Sequence, residues 1–218
     1  MRKYYIENPI PLNSANESEA PPLIGAYTSP LDILFRTASS LIIAIFGVYL
    51  YLSPDPISGP FSIVASAFGL LDWIIHELGH YLFSFLGEPI TTLGGTLGQI
   101  LFPLILAFYA FLTRRRTFWF LVFWIGENLI SIGRYMADAR GRSLNVIIPF
   151  EALSSLEEQK VKHDWFVLFD KWGLLEYDHI LGDLVQHLGL IVILLSAAGL
   201  ATAFEIWLRN KLERRRYF

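Results

Sequence analysis

The sequence predicts an all-α protein: a polytopic helical membrane protein of about five transmembrane helices, with a polar N-terminal tail and a large loop between helices four and five. Three observations predict it. Of its 218 residues 54% are hydrophobic and only 17% charged, whereas soluble domains carry roughly 25% charged residues. The mean hydropathy is +0.46. The apolar residues gather into runs that each reach the length of about 20 residues needed to cross roughly 30 Å of hydrocarbon.

Residues 1–30 contain Asn, Ser, Glu and the prolines Pro9, Pro11, Pro21, Pro22 and Pro30 without a long apolar run. They read as a disordered polar tail. No apolar core with a small-residue cleavage site follows the basic start, so the tail does not read as a signal peptide. The remainder, 31–210, reads as a single helical membrane domain. Its first span, about 31–52, ends at Pro54, Asp55, Pro56 and Gly59-Pro60, which predict a short turn on what we call side A. A second span, about 61–86, runs to Gly87-Glu88-Pro89 on side B. The third, about 93–112, opens on Gly94, Gly95 and Gly98, contains Pro103 and stops at Arg114, Arg115 and Arg116 on side A. The fourth, about 117–138, returns to side B, where the polar loop 140–178 follows. A fifth span, about 179–208, leads to the basic tail 211–218 on side A.

The dense basic clusters at 114–116 and in the tail place side A in the cytoplasm by the positive-inside rule. The expectation is therefore an integral, multi-pass membrane protein with an external amino terminus and a cytoplasmic carboxyl terminus. A net charge of -3 gives no reason to expect nucleic acid. The lipid bilayer is the expected partner. With zero cysteines there is no disulfide, thiolate metal site or cysteine nucleophile. Any metal chemistry must use nitrogen and oxygen ligands.

One pentapeptide supplies such ligands: His76-Glu77-Leu78-Gly79-His80, inside the second span. Helical residues four apart share a face, so His76 and His80 can bind one zinc ion while Glu77 stands beside it as general base. Ionisable groups inside a span are costly to bury and call for a reason. A catalytic zinc usually takes three protein ligands. His163 is the first candidate for the third, with Asp138, His187 and Asp164 as alternatives. All five histidines, including His179, fall toward side B. Asp72, one turn before His76, is expected to hold a ligand histidine from behind, and Asp183 lies on a stripe with His179 and His187. Glu127 and Arg134 on the fourth span read as a structural ion pair. Gln99, Asn128 and the Gly94-Gly95 backbone are candidates to receive a substrate, and the same glycines also read as helix packing.

A membrane-helix HELGH followed by a Gly-Gly-containing segment that opens the next span resembles the intramembrane zinc metalloproteases of the site-2 protease type. The resemblance covers about residues 61–140 and rests on residues 76–80 with Gly94-Gly95. It implies His76 and His80 as zinc ligands, Glu77 as the base that activates water, and a membrane-protein or peptide substrate. In that family the third ligand is an aspartate of an Asp-Gly motif; no Asp-Gly occurs here, and Asp138 and Asp183 are the nearest stand-ins. Two other readings follow from the number of polar groups on side B. One is a metalloenzyme with one or two metals acting on a lipid or other amphiphile. The other is a non-enzymatic membrane protein that conducts ions or protons.

Overall fold

The computed structural model describes residues 30–113, 115, 117–142 and 163–216, and its regular structure is entirely helical among them. Six α-helices follow in order: α1 (Pro30–Leu52), α2 (Ser62–Phe83), α3 (Glu88–Leu112), α4 (Phe118–Ala137), α5 (Asp164–Trp172) and α6 (Asp178–Arg216). The N-terminal tail expected over 1–30 lies outside the described residues apart from Pro30. The helical backbone continues through the tail to Arg216.

Among the described residues four helices are long and apolar enough to cross a membrane, over Leu34–Leu52, Ser62–Leu86, Glu88–Leu112 and Leu175–Thr202. The expected fourth span forms α4, a helix of 20 residues that falls outside this group. Its polar residues are shielded by protein: Glu127 and Asn128 are buried among the other helices, and Phe123, Trp124, Ile130 and Met136 are buried with them. Most of the large exposed side chains on α1, α2, α3 and α6 are apolar, including Ile63, Tyr81, Ile105 and Leu195. This is the outside of a bundle that faces lipid.

Antiparallel α4 and α6 form the most extensive pair, and glycines set their separation. Gly126 meets Gly189, and seven residues later Gly133 meets Gly182. A Cβ on any of the four would run into backbone of the opposite helix. Small residues at such crossings let two backbones approach closely, which is how helices gain packing energy where lipid removes the hydrophobic drive between them. Ser196 Oγ adds a 2.6 Å hydrogen bond to the Trp119 carbonyl. A second glycine contact joins α2 to α3, where Gly79 faces Gly94 and Gly98 faces the Ile75 carbonyl.

The direction of α1 departs from the expected alternation. Ser40 Oγ donates to the Ala197 carbonyl at 2.8 Å, Gly47 packs on Ile193, and the Tyr51 hydroxyl lies 2.9 Å from His187 Nε2. These three contacts make α1 antiparallel to α6. Phe68 packs on Phe120 and Phe123, Asp72 on Trp124, and His76 on Tyr135, so α2 runs parallel to α4. Hence α1, α2 and α4 point one way and α3 and α6 the other. The short turn predicted between the first two spans is instead a return connection, held where Tyr49 Oη donates to the Pro56 carbonyl at 2.9 Å. The start of α1 and the end of α6 lie at the same end of the bundle, against the expectation of opposite sides. Prolines and glycines mark where a helix stops but carry no information on which way the chain then turns.

At the other end of the bundle, α5 forms within the large loop. His163 is its N-cap and Gly173, at φ 68°, its left-handed C-cap. Trp165, Leu168 and Phe169 bury one face of it against Ile132 and Met136 of α4, with Leu93 and Ile100 of α3 alongside. Arg140 and Asp178 clamp the ends of α4 and α6, with Arg140 Nη2 donating to Asp178 Oδ1 at 2.6 Å.

Filling the α4–α6 crossing should separate the two helices. Gly189→Leu is expected to destabilise the bundle by about 1–3 kcal/mol or more, the usual range for overpacking, whereas Leu184→Ala on the exposed face should be close to neutral. Thermal unfolding in detergent followed by circular dichroism checks this, and an unchanged midpoint for Gly189→Leu would contradict the packing described.

Candidate metal centre

His76 and His80 lie on consecutive turns of α2, and both rings are held from behind by α3. The Nδ1 atom of His80 is 2.7 Å from the Thr91 carbonyl oxygen, and Nδ1 of His76 is 2.9 Å from Gln99 Oε1. A carbonyl oxygen only accepts, so each Nδ1 carries the proton and each Nε2 presents a lone pair. The Asp72 expected for this supporting role is elsewhere: its Oδ1 accepts from Trp124 Nε1 at 2.9 Å. Gly95 completes the seat of His76, since a Cβ there would occupy the imidazole's position. Gly94, Gly95 and Gly98 thus serve helix and imidazole packing.

The two Nε2 atoms are 3.0 Å apart, and Asp164 Oδ2 lies 3.0 Å from one and 3.1 Å from the other. His76, His80 and Asp164 are the group of metal-competent side chains found among the described residues. Three lone-pair atoms in a triangle of this size repel one another unless a proton or a metal cation sits among them. Bonds of about 2.0–2.2 Å to a tetrahedral zinc would put the ligand atoms about 3.3–3.5 Å apart. The observed triangle is a few tenths of an ångström tighter, a gap that small side-chain rotations close. An N₂O donor set held from behind by carbonyls fits a divalent cation.

Asp164, the last of the four candidates, therefore completes the group that could hold a metal ion, and His163 lies outside it. The reason lies in how α5 starts. As N-cap, His163 has extended backbone and turns its ring back, where Nδ1 accepts from the Phe166 N–H at 3.2 Å. The next residue enters the first turn and points its carboxylate at α2. Burial pushes the Asp164 carboxyl up, but when a proton lies at the centre the hydrogen bonds that His76 and His80 then give Asp164 outweigh this and hold it below the ordinary carboxylate range. It is thus ionised and ready to bind a cation. Burial holds the His163 imidazole below its ordinary range, against the charges of Asp138 and Asp164.

Asp138 stands 3.8 Å from His163 Nε2. His187 is on the far side of α4, bound to Tyr51 and, through Nδ1, to the Asp183 carbonyl, so the last helix does not meet α2 as its histidine stripe suggested. The Asp183 carboxylate receives Gln186 Nε2 at 3.4 Å and has no place near the cluster, and His179 is exposed at the start of α6. Glu77 is exposed beside the cluster, close enough for its charge to act on His80 and Tyr135.

Two supports have no sequence signal at all. The Tyr135 hydroxyl accepts the Asp164 backbone N–H at 3.2 Å, its ring stacks on His163 at 4.1 Å, and it meets the His76 ring edge-on at 6.2 Å. It fixes the start of α5 to α4 at the height of the histidines. The other is the Thr91 carbonyl, a backbone atom that only tertiary contact could select. Gln99 was visible as a polar residue in an apolar span, but as a substrate contact; it holds His76 instead.

No protein-family model, curated protein or solved structure is significantly similar to this chain.

Asp164→Ala should lose metal from the purified protein, whereas His163→Ala should keep most of it; metal analysis by mass spectrometry separates the two, and the reverse pattern would restore His163 as ligand. Tyr135→Phe removes the acceptor for the Asp164 N–H and should weaken metal affinity by about 10–100-fold, as loss of an outer support typically does, read by competition with a chelating dye.

Proposed function

We propose that the protein is a membrane-embedded metallohydrolase that binds one zinc ion through His76, His80 and Asp164, and that its activity is peptidase chemistry of the site-2 protease type. The observation that carries the reading is the triangle of lone-pair atoms at 3.0–3.1 Å with the glutamate of the same H-E-x-x-H helix exposed beside it. Asp164 takes the role that the Asp-Gly aspartate has in the resembling family, from a short helix outside the spans.

A zinc ion in this position supplies a Lewis acid that activates water and polarises a carbonyl. The chain's own groups do the remainder. Glu77 accepts the proton of the attacking water and returns it to the leaving amine. Gln99 and the Thr91 carbonyl keep both imidazoles oriented through the cycle. His80 is the most open of the three ligands, its side chain 24% exposed against 14% for His76 and 13% for Asp164, so substrate reaches the centre from the His80 side. Leu78 and Tyr81, 54% and 81% exposed, make that flank apolar. This favours a membrane-borne peptide whose helix unwinds near the site, since the peptide bonds of an intact helix are shielded.

The test is Glu77→Gln in the purified protein reconstituted with a membrane peptide. Turnover should fall by about 100-fold or more, the contribution expected of a general base, while zinc stays at one per chain. Turnover that survives the change, or iron or two metals in the wild-type protein, would overturn the proposal.

A further inference from the structure

A second polar group lies inside the bundle on the α2–α4 contact, one helical turn below His76 and pointing away from the metal centre. Asp72, 2% exposed, and Glu127, 6% exposed, bring their carboxyl groups within hydrogen-bonding reach of each other beside the fully buried Asn128. Asp72 is ten residues into the span Ser62–Leu86, about 15 Å from its start and close to the middle of the membrane.

The donors at this place are few. Trp124 Nε1 donates to Asp72 Oδ1 at 2.9 Å, and the Asn128 amide donates to the Trp124 carbonyl at 3.1 Å. Asp72 Oδ2, Glu127 Oε2 and Asn128 Oδ1 are buried with no donor. Arg134, the cation whose charge acts on Glu127, spends its guanidinium on α1, where Nη2 donates to the Leu50 carbonyl and, at 2.7 Å, to the Ser53 carbonyl. The expected Glu127–Arg134 pair therefore acts through charge alone. Tyr49 and Asp55 are the other titratable groups facing Arg134.

Two facing carboxylate oxygens make a hydrogen bond only if a proton lies between them. Charge leads to the same count: two carboxylates and one guanidinium leave a deficit of one positive charge inside the membrane, which a single proton removes. We infer that Asp72 and Glu127 form a proton-binding site that holds one exchangeable proton between them at neutral pH and so joins α2 to α4 beneath the metal ligands. The inference stands independently of whether the metal centre is catalytic. Without this proton two like charges would face each other across the helix contact on which His76 and Tyr135 meet.

Infrared spectroscopy of the full-length protein in liposomes at neutral pH tests this. The wild-type protein should show a protonated-carboxyl C=O band that shifts in D₂O. The band should be lost in Asp72→Asn and equally in Glu127→Gln, because in each variant the remaining carboxylate is balanced by Arg134 and accepts from the new amide. Either variant that folds with wild-type helicity suffices, since each alone removes the band. No such band in the wild-type protein, a band that survives in a folded variant, or a band that appears only when sodium is withdrawn, marking a metal cation in the proton's place, would overturn the inference.

Discussion

Three acceptor atoms held within 3.1 Å of one another are the constraint on which the rest of this structure depends. Lone pairs at that distance are stable only around a proton or a metal cation, and the surroundings are built so that none of the three can turn away. Each imidazole has its far nitrogen tied to a carbonyl on α3, and the carboxylate starts a helix whose own backbone N–H is tied to Tyr135. The centre thus bridges two assemblies. One is the tight α2–α3 pair, and the other is α4 with α5 packed on it.

Both assemblies rely on glycine, for the same reason. In lipid, helices gain little from hiding apolar side chains, so close backbone approach has to supply the attraction. The Gly79–Gly94 contact brings α3 near enough for Gln99 and Thr91 to reach the histidines, and the two glycine pairs between α4 and α6 fix the helix that carries Tyr135. The pentapeptide's Gly79 is therefore part of the candidate metal centre although it carries no ligand atom.

Polar groups deeper in the bundle follow a second rule, that each must find a partner in a medium without water. Arg134 answers it for α1 by taking the carbonyls at its end, which a helix that stops inside the protein would otherwise leave orphaned. Trp124 answers it for one oxygen of Asp72. The oxygens left over, on Asp72, Glu127 and Asn128, stand out because the neighbouring demands are met.

The sequence by itself determined the solvent, the helical class, the approximate ends of the long helices and the His76–His80 pair, because hydropathy and a period of 3.6 residues are local properties. It also contained Asp164 among the candidates, but charge and side could not rank it above His163. That choice belongs to the first turn of α5, where one residue's ring is used as a cap and the next residue's carboxylate is left facing α2. The role of Asp72, the separation of His187 from the centre and the direction of α1 depend on which helices are neighbours. Adjacency comes from matching surfaces between distant segments, the glycine crossings above all, and only the tertiary structure decided it.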